Sequence, residues 1–294
     1  MRFILPLVIT IASINSYAQS VIAPGAKLEL VSSQFKFTEG ASVDKAGNVY
    51  FTDQPNNTIW KYDINGKLSL FRENAGRSNG TYVDKNGNLL TCADENGQIW
   101  SIDKGGNETI VLKDFNGHQF NGPNDLWIDP KGGIYFTDPY FQRDYWTRKE
   151  GDPEMKKENL YYLAKGKSQP IVVDDQFVKP NGVVGTPDGK TLYAAEIAKG
   201  FIIKYDIQPD GTLKNRRNFV EDRADGITVD EKGNLYLAGK GVTVYDPSGK
   251  KIDHIDVPED WTANLCFGGK NKDILFITAM KSLYKIKMNV KGVE

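Results

Sequence analysis

The sequence predicts an all-β fold, namely a six-bladed β-propeller with four-stranded antiparallel blades and a ring closed by an N-terminal strand. A unit that begins with a polar residue recurs six times, starting at Glu39, Asn79, Asn124, Asn181, Asp225 and Asn264. The starts are separated by 40, 45, 57, 44 and 39 residues, and repeats of about 40–45 residues are typical of propeller blades. Beyond the N-terminal region no segment shows a sustained apolar period of 3.6 residues, so we expect little helix.

Each unit supplies a hairpin followed by two further strands. In five units a turn glycine lies eight positions after the leading residue, at Gly47, Gly87, Gly132, Gly189 and Gly233. Glycine at such a position is typical of tight hairpin turns. A third strand carries an apolar signature, as in IWKYD at 59–63, IWSID at 99–103 and LYKIK at 283–287, and LSLF at 68–71 is an example of the fourth.

The last unit has room for only three strands before the chain ends at Glu294. We expect the segment KLELVS at 27–32 to provide its fourth, outer strand. This arrangement would join the two ends of the chain and remove an open sheet edge that could pair with other molecules.

Composition excludes several classes of protein. The 294 residues carry a net charge of −1, so there is no basic excess of the kind that binds nucleic acid. No segment reaches the roughly 20 apolar residues that a membrane-spanning helix needs. The two cysteines, Cys92 and Cys266, fall in units that are not neighbours, and we expect two separate buried thiols.

The N-terminus has the pattern of a secretion signal. Arg2 precedes an apolar stretch at 3–12, and Ser16 and Ala18 occupy the small-residue positions before a cleavage point. We therefore expect a signal peptide at 1–18, a single propeller domain at 19–294, and a periplasmic or secreted protein. A buried N-terminal strand or helix is the alternative.

The six leading residues, hereafter the channel ring, all offer side-chain oxygen atoms. First strands line the central channel of a propeller, so these side chains should converge near its axis. Carboxylate and amide oxygens are the ligands that hard divalent cations prefer, and the ring contains no His or Cys of a typical zinc site. For Asn79 and Asn264 ordinary turn chemistry is an alternative. Glu39 and Asp225 would repel each other unless a cation lay between them.

Several motifs of the chain are similar to those of the senescence-marker-protein/gluconolactonase/luciferin-regenerating-enzyme-like family of six-bladed propellers. The resemblance covers essentially the whole chain after the predicted signal. Its sharpest parts are TEGASVD at 38–44, FNGPNDLWIDPKGGIYFTDP at 120–139, KPNGVVGTPDGKTLY at 179–193 and ADGITVDEKGNLYLA at 224–238.

The resemblance implies a metal site and an activity. Glu39, Asn181 and Asp225 correspond to metal-binding residues of the family, and Asn124 corresponds to a fourth residue that ligates the metal or touches substrate. Family members are mostly sugar-lactone hydrolases that commonly use Ca²⁺, although some accept Zn²⁺, Mn²⁺ or Fe²⁺. A mechanism based on a His pair is doubtful here, because His118 and His254 are the only histidines and His254 falls in a predicted outer strand.

The predicted chemistry is hydrolysis of a small lactone, with the metal as Lewis acid. Asp225 is the candidate general base, or else only a ligand. A long insertion at 140–159 should lie over the mouth of the site, either as a lid or as a loop anchored on the propeller. The candidate substrate-binding residues are Asn124, His118, Tyr140 and Arg143. Asp53, Asp138 and Glu196, at the ends of second strands, are either a second layer around the metal or solvated turn residues.

Two other functions stay open at the level of sequence. The protein could be a non-catalytic propeller that binds a ligand or a protein and uses the metal for stability, because the fold hosts both kinds of function. It could also be a phosphotriesterase-like hydrolase. For the lactonase we expect a small-molecule lactone as partner, no nucleic acid, no membrane span, and a monomer or weak dimer.

Overall fold

A computed structural model describes residues 20–148, 151–152 and 154–293 of the chain, and the predicted signal peptide lies outside them. The described residues form six four-stranded antiparallel sheets. In five of them the strands pair in chain order, and first strands of neighbouring blades contact one another around the ring. The predicted six-bladed all-β propeller is therefore confirmed.

The strands agree with the predicted repeat. The first strands are β2 (Thr38–Val43), β6 (Ser78–Val83), β10 (Leu126–Ile128), β14 (Pro180–Gly185), β18 (Ile227–Val229) and β22 (Thr262–Gly268). The second strands are β3 (Val49–Asp53), β7 (Leu89–Ala93), β11 (Ile134–Asp138), β15 (Thr191–Glu196), β19 (Leu235–Gly239) and β23 (Ile274–Ala279). The third strands are β4 (Thr58–Tyr62), β8 (Gln98–Ile102), β12 (Asn159–Leu163), β16 (Phe201–Ile207), β20 (Gly241–Tyr245) and β24 (Ser282–Lys287). The outer strands are β5 (Leu68–Glu73), β9 (Glu108–Leu112), β13 (Ile171–Asp174), β17 (Leu213–Val220), β21 (Lys251–Ile255) and β1 (Glu29–Ser32).

Helix is a minor component of the described chain, as the sequence predicts. It consists there of two short 3₁₀ turns, Gln54–Asn56 and Asp94–Asn96. None of the helices in these described ranges is long and apolar enough to cross a membrane.

The hairpin turns follow from the glycines of the repeat. All five predicted turn glycines have positive φ angles, between 66° at Gly189 and 97° at Gly47, a conformation that costs glycine little. In blade 1 the Asp44 carboxylate accepts hydrogen bonds from the backbone N–H groups of Ala46 and Asn48, both at 2.9 Å. The Asp side chain therefore fixes the turn that glycine makes sterically possible.

The ring closes as predicted. Strand β1 pairs antiparallel with β24 as the outer strand of blade 6, with Glu29 opposite Lys285 and Leu30 opposite Tyr284. A bridge between Ile22 and Met288 extends this contact. Both ends of the chain thus contribute to one sheet, so the sixth blade is completed by the N-terminal segment.

Apolar and aromatic side chains fill the space within and between blades. Tyr135, Phe136 and Tyr161 in blade 3 are fully buried, and the rings of Phe136 and Tyr161 stack at 5.1 Å. Cys92 and Cys266 are buried and form no disulfide, as predicted. The core is therefore made by side-chain packing and contains no disulfide among the described residues.

Candidate active site

The propeller places the channel ring where the repeat predicts. Glu39, Asn79, Asn181 and Asn264 lie within first strands, and Asn124 and Asp225 lie two residues before theirs. All six side chains are buried. Asn79 and Asn264 are strand residues and do not have positive φ angles, so the alternative explanation by turn chemistry is wrong for them.

The glycines that follow ring residues allow neighbouring blades to meet at the axis. The N–H of Gly80 donates to the carbonyl of Asn124 at 2.6 Å, and the N–H of Gly182 donates to the carbonyl of Asp225 at 2.8 Å. A Cβ atom on Gly40 would lie 1.9 Å from the carbonyl oxygen of Asn79. Glycine is needed here because backbones approach too closely for any side chain.

Glu39, Asn181 and Asp225 come together in this crowded centre. Burial raises the pKa of Glu39 well above its usual range, and the negative charges of Asp225 and Asp125 raise it further. Burial also raises the pKa of Asp225 to about 6, although hydrogen bonds from Trp261 and from the side chain of Asn181 oppose this rise. Two buried carboxylates thus share one small volume, and each interacts with the Arg143 guanidinium.

This donor set fits a hard divalent cation. The described residues contain no cluster of three or more His, Cys, Asp or Glu side chains placed to hold a metal, so an ion here would rely on two carboxylates and neighbouring amide oxygens. Oxygen-only sites of this kind suit Ca²⁺. A cation would also relieve the repulsion between Glu39 and Asp225, because it lowers the pKa of both.

Two residues that the sequence interpretation did not select belong to the same centre. The indole Nε1 of Trp261 donates to Oδ2 of Asp225 at 2.7 Å. Asp125 is buried beside Asn124, and its carboxylate accepts the N–H groups of Leu126 at 2.9 Å and Val183 at 3.2 Å. A tryptophan beside the acids of the loop at 256–261 and the acid of the motif PND were the available signals.

Asn264 is less suited to bind a metal than its position in the ring suggests. Its Oδ1 atom accepts the N–H of Leu265 at 2.7 Å. Together with Asp125 it lines a small cavity of about 20 Å³. The side-chain oxygen of Asn264 is thus already used by its own strand.

Asp53, Asp138 and Glu196 have a structural role that neither sequence interpretation named. They are buried, so they are not solvated turn residues. Each accepts hydrogen bonds from two consecutive backbone N–H groups in the loop that precedes the first strand of its own blade. The donors are Lys36 and Phe37 for Asp53, Asn121 and Gly122 for Asp138, and Val178 and Lys179 for Glu196. These carboxylates fix the loops that lead into the ring.

The insertion of blade 3 is anchored on blade 2. Trp146 is buried, and its indole Nε1 donates to Oδ2 of Asp94 at 3.1 Å. The N–H of Thr147 donates to Oε1 of Glu95 at 3.1 Å. The guanidinium of Arg148 lies 3.9 Å from the centre of the Trp146 ring and donates to the carbonyl of Asn121. This part of the insertion is therefore a loop anchored on the propeller, which is one of the two arrangements that the sequence predicts.

The predicted substrate-binding residues have different surroundings. Arg143 interacts electrostatically with Glu39, Asp225 and Asp94, so this part of the insertion lies near the ring. Tyr140 packs its ring edge-on to Trp146 at 5.9 Å and donates its hydroxyl to Gln142. His118 is partly exposed, with Nδ1 3.2 Å from Oδ2 of Asp152. Of these three residues, Arg143 has contacts that favour a role in the site, and their roles in substrate binding stay predictions.

We expect Trp146→Phe to loosen the insertion while keeping its aromatic packing. At pH 8, where Asp94 is ionised, the substitution removes an N–H that this carboxylate accepts, and a hydrogen bond to a charged group is worth about 1.5–3 kcal/mol. With Arg143 less firmly held, KM for an anionic or polyhydroxylated substrate should rise roughly 10-fold or more, and proteolysis within 140–159 should become faster. Trp100→Phe, which removes an indole donor to Gln98 on the outer part of blade 2, is the control and should change neither. Unchanged KM and proteolysis in Trp146→Phe would contradict the anchor.

Two buried acids on this face should make the stability of the protein depend on pH. Burial raises the pKa of both Asp94 and Asp138 to about 7, whereas an unfolded Asp has a pKa near ~3.9. The folded state therefore binds more protons between about pH 4 and pH 7, and the free energy of unfolding should fall as the pH rises through this window. Urea unfolding at pH 5 and pH 8 checks this. Asp94→Asn should reduce the difference, and an increase in stability toward pH 8 would contradict it.

Comparison with known proteins identifies the family. The family model SMP-30/Gluconolactonase/LRE-like region matches residues 37–281. Gluconolactonase of Zymomonas mobilis subsp. mobilis is 25% identical over 316 residues, covering 96% of this chain and 88% of the relative. A solved gluconolactonase from Xanthomonas campestris is 28% identical with a TM-score of 0.83, covering 91% of both chains. A calcium-binding regucalcin from Agrobacterium tumefaciens, at 17% identity, shares the fold with a TM-score of 0.75 over 90% of this chain and 94% of its own. The chain belongs to the SMP-30/gluconolactonase/LRE-like family.

Proposed function

We propose that this protein is a hydrolase of small lactones, most simply of sugar lactones. The observation that carries the proposal is the meeting of Glu39, Asn181 and Asp225 in one buried centre beneath Arg143. Similarity to gluconolactonases over most of the chain supports this class of substrate. Buried carboxylates without a partner cost free energy. A catalytic centre explains why this protein keeps two of them, whereas a purely structural role does not.

We propose a divalent metal ion, Ca²⁺ by preference, as the cofactor. Glu39, Asn181 and Asp225 would hold it, with Asn124 as a further ligand or a substrate contact. The all-oxygen donor set favours a hard cation, and the calcium-binding regucalcin has the same fold. When bound, the ion would supply Lewis acidity toward the lactone carbonyl.

The residues of the chain have complementary roles in the proposed reaction. Asp225 would take a proton from the water that attacks the carbonyl carbon. As the ring C–O bond breaks, the proton returns to the alkoxide and a hydroxy acid forms. Trp261 fixes one carboxylate oxygen of this base through its indole N–H. Arg143 would neutralise charge that develops near the ring.

We propose that the protein acts outside the cytoplasm as a periplasmic or secreted enzyme. The support is the signal-like pattern at 1–18 and the small residue Ala18 before the proposed cleavage point. N-terminal sequencing of protein recovered from outside the cytoplasm should read from Gln19. Recovery of the uncleaved chain from the cytoplasm alone would refute the proposal.

A lactone panel after chelation tests the proposed function. We expect purified protein to hydrolyse glucono-1,5-lactone or xylono-1,4-lactone in a pH-stat, to lose at least roughly 100-fold of this activity after chelation, and to regain it with Ca²⁺. Readdition of Zn²⁺, Mn²⁺ or Fe²⁺ in parallel identifies the effective ion. Metal that raises the melting temperature without any lactone turnover would instead favour a structural metal. Turnover of organophosphates but not of lactones would favour a phosphotriesterase-like hydrolase.

A further inference from the structure

A separate cavity opens on the same face of the propeller as the candidate active site. It lies at the ends of blades 5 and 6 and has a volume of about 580 Å³. Its wall includes Trp261 and Arg223 from the loops before the first strands, and Thr243, His254 and Glu259 farther from the axis. Lys240 is exposed at its rim.

Blade 5 differs from blades 1, 3 and 4 at this position. Those blades end their second strand with the acid that fixes the preceding loop, whereas β19 ends with Gly239. A Cβ atom on Gly239 would lie 2.7 Å from the carbonyl oxygen of Arg223. The backbone N–H of Gly239 donates a hydrogen bond to Oγ1 of Thr262 at 2.6 Å. No side chain therefore projects from the end of this strand, which lines the cavity.

Trp261 lies between the cavity and the candidate catalytic centre. Its indole N–H binds Asp225 at 2.7 Å, while the same residue lines the cavity. The guanidinium carbon of Arg223 lies 5.6 Å from the centre of its ring, within the range of a cation–π contact. A ligand in the cavity would thus be separated from the proposed base by one aromatic side chain.

The lining has the chemistry of a polyol site. It combines the aromatic ring of Trp261 with hydrogen-bond donors and acceptors from acidic and basic side chains. Several of these polar side chains are held in place by other residues. His254 Nδ1 lies 3.2 Å from Oγ1 of Thr243, and Oε1 of Glu259 accepts the hydroxyl of Ser282 at 2.5 Å. Groups fixed in this way can bind hydroxyls without a large ordering cost. An apolar or singly charged ligand would leave much of this lining unpaired.

We propose that this cavity binds a second sugar unit, so that the substrates include aldonolactones that carry a glycosyl group. The lactone ring would sit at the channel ring and the attached sugar beyond Trp261. The inference rests on the proposed lactonase function, and it assigns the substrate class of the same site. The aromatic wall and the paired polar groups are the features expected of such a subsite.

Comparison of mono- and disaccharide lactones tests the subsite. We expect cellobiono-1,5-lactone or maltobiono-1,5-lactone to be hydrolysed with at least a tenfold higher kcat/KM than glucono-1,5-lactone. The double variant Lys240→Ala/His254→Ala should lose most of this preference while keeping its activity on glucono-1,5-lactone. Lys67→Ala, an exposed lysine on blade 1, is the control and should keep both. Equal kcat/KM for all lactones, or equal losses on both classes, would overturn the subsite.

Direct binding separates this inference from the proposed function. Calorimetric titration with cellobiose and with maltose should show one site for at least one of them in the wild type, and the double variant should lose it. If no lactone is turned over but this binding is seen, the lactonase proposal fails and the sugar site stands. If lactones are turned over without preference and neither disaccharide binds, the sugar site fails and the lactonase proposal stands.

Discussion

Replacing Asp225 with Asn will lower kcat/KM for lactone hydrolysis by roughly 10²–10⁴-fold, the range that a positioned general base contributes. The substitution keeps the size of the side chain and an oxygen for the N–H of Trp261, which lies 2.7 Å from Oδ2. It removes the negative charge that this indole contacts. Steady-state kinetics in the presence of saturating Ca²⁺ measures the loss.

Metal affinity in the same variant decides which role Asp225 has. If Asp225→Asn binds Ca²⁺ as tightly as the wild type but is inactive, the residue acts as the base. If affinity and activity fall together, it acts mainly as a ligand. Asp206→Asn, which changes an exposed acid that pairs with Arg217 on blade 4, is the control and should alter neither quantity. Full activity in Asp225→Asn would remove this residue from the proposed mechanism.

Replacing Glu39 with Gln will stabilise the metal-free protein and abolish its stabilisation by metal. Glu39 is buried beside Asp225 and Asp125, and both charges raise its pKa. Replacing the Glu39 carboxyl with a neutral amide removes the cost of burying a charge beside these two carboxylates, so at pH 8 we expect a gain on the order of 1–3 kcal/mol. The wild type should in contrast gain about 2.7 kcal/mol from Ca²⁺ at 100 times its Kd, and the variant should gain almost nothing.

Calorimetric melting with chelator and with Ca²⁺ measures both effects in one experiment. Asn79→Ala, an uncharged change in the same ring that is not among the predicted ligands, should retain the metal-dependent increase in melting temperature. A Glu39→Gln protein that melts lower than the wild type without metal, and still gains stability with Ca²⁺, would contradict a metal held by Glu39. The result would also show that a group other than a metal ion, such as Arg143, balances the negative charges of this centre.

Turn residues and repeat spacing made most of the fold predictable. Each turn glycine and each Asp such as Asp44 acts within a few residues of its position in the chain, so local sequence reports the local structure. The closing strand β1 was also predictable, because the last repeat is one strand short and an open edge has to be paired. The roles of Asp53, Asp138 and Glu196 were not, because a carboxylate at a strand end is compatible with a metal, with solvent or with backbone donors.

The sequence by itself determined the number of blades and the meeting of Glu39, Asn181 and Asp225, because equivalent positions of a closed repeat must converge on its axis. Only the tertiary structure decided that Trp261 holds Asp225, 36 residues away, and that Trp146 binds Asp94, 52 residues away. These pairs join loops of different blades, whose lengths and paths the repeat does not specify. Partners across blades depend on how whole sheets pack together, and that packing is a property of the assembled ring rather than of any one unit.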